Sequence, residues 1–141
     1  MTKIETNWLV GFTDGEGCYH IGIAKNETYS LKYQVLPEFV ITQHQRDIKL
    51  LYAIKSFFGC VVVRTDKKGI CHYRVRNFKH LSEIIVPFFE KHSLKTMKKV
   101  DFLKFRKVIL LMRNQEHLTS DGLDKIRKIK NNYFKIESNL D

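Results

Sequence analysis

Two carboxylates lie close together among glycines near the N-terminus, in residues 11–17. The hydrophobic spacing of the preceding residues predicts a helix over residues 7–16, so Asp14 and Glu16 fall at its C-terminal end. Negative charge there opposes the helix dipole, and stability alone does not favour it. A divalent cation bound by the Glu16 carboxylate and the Gly15 carbonyl would relieve this repulsion, because Mg²⁺ prefers oxygen ligands. The spacing of these residues alone is equally consistent with an alternative, a turn in which both acidic side chains are solvated and bind no cation.

The glycines of this segment indicate close packing. Gly11 and Gly15 lie one helical turn apart, and each costs a helix about 1 kcal/mol relative to alanine. This cost is explained if a second backbone approaches the helix closely, as in small-xxx-small packing. We expect Gly17 to adopt a positive φ that turns the chain into the next strand, and Asn7 to cap the helix.

Hydrophobic periodicity predicts an α+β domain over residues 1–141. Strands are expected over residues 18–24, 33–43, 60–65 and 70–76, and helices over 7–16, 46–58, 81–90, 97–112 and 123–133. The strands form a four-stranded antiparallel sheet with helices on one face and a second, open face. Pro37 predicts an edge position or a bulge, and Pro87 predicts a kink or a break in its helix.

Charge and composition restrict the classes of function. The 141 residues carry a net charge of +10, and residues 71–141 hold 16 basic and 8 acidic groups. A polyanionic partner is expected, nucleic acid ahead of a membrane surface, although a solvated basic face would have the same charge. No apolar run is long enough to span a membrane, and the N-terminus lacks the pattern of an import signal. Three cysteines without a C-x-x-C pair argue against a disulfide scaffold or a cysteine zinc site.

The last predicted strand supports the nucleic-acid interpretation. Strand alternation places His72, Arg74 and Arg76 on one face, and Arg64 on the preceding strand joins them. A sheet face that bears three arginines suits a DNA groove, whereas a solvated outer face is the alternative.

The segment Leu9–Gly17, flanked by Trp8 and by Cys18-Tyr19, resembles the signature of the LAGLIDADG homing endonucleases. The similarity continues through residues 39–43, 50–59 and 94–102. The resemblance implies the αββαββα fold, whose sheet forms a DNA-binding saddle, with extra helices at the C-terminus. Because this chain has one signature, it also implies a homodimer packed across Gly11 and Gly15.

The implied activity is a metal-dependent, staggered double-strand break in a partly palindromic DNA target. Each half-site spans about one helical turn, so the target spans roughly 20 bp. Glu16 and the Gly15 carbonyl would bind Mg²⁺ or another divalent cation, and Asp14 would have the structural role of capping the signature helix.

Other residues match supporting positions of the family. Gln43 would hold the attacking water, and Lys95 would stabilise the charged transition state, with Lys98 a near competitor because the local alignment can slide. Arg46 is a candidate basic group beside the site. A related family pattern instead has its basic residue four positions after the glutamine, where this chain has Asp47.

The open sheet face and the turn beside it are expected to contact DNA. Arginine pairs with guanine, and asparagine or glutamine with adenine, in the major groove, while lysines such as Lys67 and Lys68 contact phosphates. The candidate base-reading residues are His20, Asn26, Gln34, Glu38, Thr42, Arg64, His72, Arg74 and Arg76.

Two alternative functions use the same fold. One is an RNA maturase that binds its host intron, and the other is a non-catalytic nucleic-acid-binding protein; the retained Glu16 favours cleavage over both. A membrane partner is not expected. Family members are commonly encoded in organellar introns, so we expect the chain to act in a chloroplast or mitochondrion that encodes it. A bacterial cytoplasm fits the missing import signal equally.

Overall fold

The computed structural model describes residues 3–131, and its elements follow the predicted order. The helices and strands are α1 (Thr6–Glu16), β1 (Gly17–Lys25), β2 (Tyr33–His44), α2 (Ile48–Phe58), β3 (Val63–Thr65), β4 (Ile70–Val75), α3 (Phe78–His80), α4 (Val86–Lys91), α5 (Lys98–Arg113) and α6 (Ser120–Asn131). The predicted end of the last helix, at Tyr133, lies outside the described residues. Within residues 3–131, no helix is both long and apolar enough to cross a membrane.

The four strands form one antiparallel sheet in the order β1-β2-β4-β3. Cys71, Tyr73 and Val75 on β4 are completely buried, whereas His72 and Arg74 between them are not. This alternation confirms the predicted assignment of the two faces of β4. The helices cover the buried face, and the polar face stays open.

Pro37 lies in a part of β2 that has a strand on one side only. β1 and β2 pair without interruption from Gly17–Ile41 to Lys25–Tyr33, so there is no bulge. β4 pairs with β2 only from Phe39 onward, which leaves Pro37 at a local edge. The edge alternative is therefore the one that the structure shows, because a missing N–H is tolerated where no strand needs it.

Several element boundaries differ from the predictions by one to three residues. β3 begins at Val63 rather than residue 60, because Val61 has a left-handed backbone (φ 70°) that interrupts the extended chain. The prediction that Asn7 caps α1 is wrong: the helix begins at Thr6, and the preceding Glu5 makes no side-chain capping bond.

The core fills the space between the sheet and the helices in two clusters. The larger is rich in aromatic rings, and Tyr19 of β1 contacts Phe39, Phe89, Phe102 and Phe105. The smaller cluster lies under the β1–β2 hairpin, where α5 and α6 pack on it. Its buried members are Ile21, Val35, Val108, Leu123, Ile126 and Ile129. Both clusters pack against the same face of the sheet, so the opposite face remains exposed.

The helical segment that contains Pro87 is irregular. Residues Leu81–Ile85 form a π-helical turn in which the Val86 N–H bonds to the Leu81 carbonyl. The next bond of this type would run from Pro87 to the Ser82 carbonyl, but proline has no N–H. Arg113 of α5 takes its place: Nη2 donates to the Ser82 carbonyl at 3.3 Å and to the Ser82 Oγ at 2.7 Å. The predicted irregularity at Pro87 is thus present, and Arg113 stabilises it.

We expect Arg113→Met to lower the free energy of unfolding by about 2 kcal/mol, because it leaves the buried Ser82 oxygens without a charged donor. Urea denaturation measures this change. Arg106→Met is the matched control, since its ion pair with Glu90 is partly solvent-exposed and contributes under about 1 kcal/mol. Equal effects of the two substitutions would contradict the role of Arg113.

Candidate active site and nucleic-acid interface

Glu16 is the last residue of α1, and its side chain is exposed. Its carboxylate makes no hydrogen bond or ion pair with any residue between 3 and 131. The Gly15 carbonyl is among the last four of the helix, which have no partner within it. Two oxygens of the kind that bind a cation therefore belong to adjacent residues where α1 meets β1.

The turn from α1 into β1 is tight because a threonine fills it. Thr13 is buried and donates through Oγ1 to the Leu9 carbonyl at 2.8 Å. A Cβ on Gly17 would lie 2.6 Å from the Thr13 Cγ2. Gly17 has φ −77°, so the predicted positive φ is wrong. Glycine is needed at this position because any side chain would collide with Thr13. Without a side chain there, β1 begins directly after the acidic C-terminus of α1.

Asp14 fastens the end of α1 to the segment that precedes α5. Its carboxylate accepts hydrogen bonds from the backbone N–H groups of Lys95 (2.9 Å) and Thr96 (3.0 Å), and from the Thr96 hydroxyl (2.8 Å). Asp14 therefore caps a distant turn rather than its own helix. Partial burial acts to raise the pKa of the Asp14 carboxyl, but the Thr96 and Lys95 donors together outweigh it and lower this pKa.

We expect Asp14→Ala to lower the free energy of unfolding by about 1–2 kcal/mol at neutral pH, because it removes a charged acceptor from three donors. A carboxyl whose pKa is lowered by folding stabilises the protein above its unfolded pKa, and this contribution is lost as the pH falls through the folded value. The difference from wild type should therefore shrink below about pH 4. Thermal unfolding at pH 7 and pH 3 tests this, and an equal deficit at both would contradict it.

The two candidate lysines both lie beside the α1–β1 junction. Lys95 is exposed, and its backbone is held by Asp14, two residues before Glu16. Lys98 begins α5 and is half-buried; its charge acts to lower the pKa of the Cys18 thiol, although burial, the larger effect, raises it. Cys18 follows Glu16 by two residues, so the structure brings both ammonium groups to the same region.

Gln43 and Arg46 lie at the same end of β2. The pairing of Gly17 with Ile41 is the last of the β1–β2 ladder, so Gln43 lies two residues beyond the point where α1 meets the sheet. Gln43 is half-buried and pairs with Cys71, so its side chain belongs to the helix-covered face of the sheet. The adjacent residues Thr42 and His44 belong to the open face. Arg46 is exposed in a short 3₁₀ turn, where its backbone N–H donates to the His44 Nδ1 at 3.1 Å.

The open sheet face gathers most of the predicted DNA-contacting residues. His20 lies across from Glu38, and His72 lies between Thr42 and Arg64 on the neighbouring strands. The face as a whole carries His20, Gln34, Glu38, Thr42, Arg64, His72, Arg74 and, just after β4, Arg76. Strand pairing alone brings these side chains together over one continuous surface.

Several of the residues predicted to contact DNA have partners within the chain, and two of these pairs involve turns. Asn26 lies in the β1–β2 turn, where its amide donates to the Gln34 Oε1 at 3.1 Å and its carbonyl oxygen accepts from the Thr28 hydroxyl. His72 has its Nε2 3.2 Å from the Asp66 carboxylate, which also caps the β3–β4 turn. Sequence reasoning did not assign a role to Asp66, although an aspartate at the start of a short turn is the signal for such a cap.

Lys67 and Lys68 lie in that β3–β4 turn and are exposed at its tip. They extend the basic surface beyond the strands without contacting its other members. Their position fits the phosphate contacts predicted for them.

The sequence profile described as LAGLIDADG endonuclease matches residues 9–109, which include most of α1, the whole sheet and most of α5. The chain belongs to the LAGLIDADG endonuclease family. A curated relative from Neurospora crassa, named probable intron-encoded endonuclease 2, is 32% identical over 126 residues, which cover 89% of this chain and 26% of the relative. The chain spans about a quarter of the length of the first curated LAGLIDADG relatives that it matches.

Solved structures confirm the fold. The crystal structure of the homing endonuclease I-TnaI superposes with a TM-score of 0.88 at 46% identity, and the match covers 99% of this chain and 97% of that chain. The structure of I-SmaMI bound to an uncleaved DNA target in the presence of calcium ions superposes with a TM-score of 0.87 at 35% identity, over 89% of this chain and 43% of that chain. The predicted homing-endonuclease fold is therefore correct.

The LAGLIDADG helix α1 offers hard oxygen ligands for a divalent cation. The Glu16 carboxylate and the Gly15 carbonyl fit the ligand preference of Mg²⁺. Within residues 3–131, no group of three or more His, Cys, Asp or Glu side chains is arranged to hold a metal ion. Glu16 and Gly15 are therefore the residues that would hold a cation here, and its remaining ligands would come from DNA, water or a second copy.

The exposed side of this LAGLIDADG helix consists of glycines and an apolar aromatic side chain. A Cβ built on Gly11 or Gly15 meets no atom of residues 3–131 within 4 Å, so neither glycine is needed for packing against that part of the chain. Trp8 is 46% exposed on the same helix and stacks on Phe12 with ring centroids 4.9 Å apart. The two glycines therefore lower helix propensity without any benefit to the single chain.

Proposed function

We propose that this chain is a site-specific homing endonuclease that cuts both strands of DNA as a homodimer. The observation that carries the proposal is the unpartnered Glu16 carboxylate, which lies at the end of a glycine-lined, exposed helix beside a basic open sheet. The whole chain, residues 1–141, acts as one domain, and two copies pack across Gly11 and Gly15. The twofold axis then presents one Glu16 to each DNA strand.

The chemistry requires phosphodiester hydrolysis at two positions. Glu16 and the Gly15 carbonyl would hold Mg²⁺, which when bound activates water and neutralises charge on the phosphate. Gln43 orients the attacking water, since its amide both donates and accepts hydrogen bonds. Lys95 or Lys98 adds positive charge beside the phosphate, with Arg46 further out. Asp14 positions the Lys95 backbone, so it contributes without touching the substrate.

Target recognition belongs to the open face. Arg64, Arg74 and Arg76 are expected to contact guanines, while Gln34 and Asn26 contact adenines. His20, Thr42 and His72 complete the set that contacts bases, with Glu38 among them on the same face, whereas Lys67 and Lys68 bind phosphates. Two such faces related by the dimer axis predict a partly palindromic site of roughly 20 bp.

The gene is expected to lie in an intron of an organellar genome, where its product acts. This proposal rests on the likeness to relatives that are named intron-encoded.

The proposed function is tested by cleavage of a plasmid library with randomised inserts, followed by sequencing of the cut ends. We expect Mg²⁺-dependent cuts at one family of partly palindromic sites, with the two strands cut a few base pairs apart. Binding of a structured intron RNA with no cutting of any DNA would overturn the proposal in favour of the maturase alternative.

A further inference from the structure

The open face of the sheet contains one feature that its basic charge does not explain. Glu38 is the only acidic residue in the four described strands, and it lies on the face that we assign to a polyanion. Its side chain is 16% exposed and lies between two arginines. A surface that simply attracts DNA gains nothing from a carboxylate there, because each negative charge weakens phosphate binding.

The contacts of Glu38 involve one particular edge of each arginine. Arg76 donates from Nε to the Glu38 Oε2 at 2.7 Å, and Arg74 Nε lies 3.4 Å from Oε1. Arg76 therefore turns its hydrogen-bonded Nε side toward Glu38, whereas the Arg74 Nε lies at ion-pair distance from Glu38 without a hydrogen bond. In both arginines the two terminal nitrogens make no hydrogen bond within the described residues. Those two nitrogens are the pair that can bind the O6 and N7 of guanine together.

Stability does not account for this arrangement. Glu38 is only 16% exposed, but Arg76 is 67% and Arg74 36% exposed, and an ion pair with so exposed a basic partner stabilises a fold by about 1 kcal/mol. The arrangement has a clear consequence for recognition, however. An arginine held by a neighbouring carboxylate loses less side-chain freedom on binding, and it is kept from settling on the nearest phosphate.

We propose that Glu38 is a positioning residue that sets base specificity through Arg76 and Arg74, at the expense of affinity for DNA in general. This inference rests on the proposed function, because it needs a DNA target that the open face contacts. It assigns to Glu38 a role that differs from direct base contact: the carboxylate aims the arginines, and the arginines contact the bases.

The test is Glu38→Gln, which keeps the length of the side chain and removes its charge. We expect binding to random-sequence DNA to strengthen severalfold, with a steeper salt dependence, because the released arginines reach phosphates. We expect the preference at the base pairs contacted by Arg74 and Arg76 to fall about tenfold or more. Salt-dependent binding of the selected target and of single-base variants measures both effects.

Two further variants separate aiming from other roles. When Arg76→Ala is already present, adding Glu38→Gln should cause no additional change in base preference at the base pair that Arg76 contacts. Glu38→Asp keeps the negative charge but shortens the side chain, so its carboxylate no longer reaches the arginines. DNA binding should then keep the wild-type salt dependence but lose the preference for the base pairs contacted by the arginines. Glu27→Gln is the matched control, since Glu27 forms exposed ion pairs with Lys25 and Lys32 in the β1–β2 turn, and it should leave base preference unchanged.

Two outcomes would overturn the inference. One is that Glu38→Gln weakens binding to target and random DNA by the same factor. The other is that Glu38→Gln lowers the base preference at a position where Arg74→Ala and Arg76→Ala do not. That result would mean that Glu38 contacts a base directly. If the wild-type protein had no preferred target, the proposed function itself would fail, and that result is distinct from both.

Discussion

Glu16→Gln is expected to reduce DNA cleavage by at least about 10³-fold while the protein stays folded and bound to its target. The reduction follows from losing the charged ligand of a cation whose contribution amounts to several kcal/mol. The fold should not suffer, because the Glu16 carboxylate has no partner among residues 3–131. Removing a negative charge from the C-terminus of α1 should even stabilise the helix, by about 0.3–1 kcal/mol. Cleavage rates and melting temperatures, measured on the same preparation, test both parts.

Glu83→Gln is the matched control for this prediction. Glu83 is an exposed acid in the π-helical turn, and the substitution changes the net charge by the same amount. It should leave cleavage unchanged. Wild-type cleavage by Glu16→Gln would contradict the metal-binding role, and a large loss of stability would contradict the unpartnered state of Glu16.

Gly11→Leu is expected to separate stability from assembly. Because a Cβ at this position meets nothing within 4 Å, the single chain should gain about 1 kcal/mol of helix propensity. In a twofold dimer packed across this surface, the same side chain would intrude twice, and overpacking costs about 1–3 kcal/mol at each contact. We therefore expect the dimer dissociation constant to increase at least about 30-fold, with loss of double-strand cleavage. Analytical ultracentrifugation and thermal unfolding measure the two effects.

Leu103→Phe enlarges a different exposed helix surface, on α5, and should change neither assembly nor cleavage. A Gly11→Leu protein that still forms dimers of wild-type affinity would show that α1 is not the interface. A destabilised monomer would instead show that Gly11 is needed within the chain.

The parts of the fold that were predictable depend on local periodicity. Alternation along β4 separated Tyr73 from His72 and Arg74 correctly, because strand geometry leaves only two faces. The predicted end of α2 at residue 58 was also correct, and Gly59 directly after it has a left-handed backbone that ends the helix. The start of β3 was missed because the left-handed backbone of Val61 is imposed by packing, and nothing in a valine predicts it.

The parts of the site that were not predictable depend on contacts between distant residues. Asp14 meets Lys95 and Thr96 more than 80 positions later, so its true capping partner could not be identified from spacing. The ion pair of Glu38 with Arg76 likewise depends on the β2–β4 register, which only the folded sheet determines. Gly17 was placed correctly but for the wrong reason, since its constraint comes from the Thr13 side chain.

The most direct test of the central claim is a cleavage time course on a supercoiled plasmid that carries the selected target, with Mg²⁺ and with EDTA. The account predicts conversion to the linear form with Mg²⁺, at a rate that rises with the concentration of dimer, and no conversion with EDTA. Tight, specific binding of the target with the plasmid left supercoiled, or a product that stops at the nicked circle, would contradict a homodimer that cuts both strands.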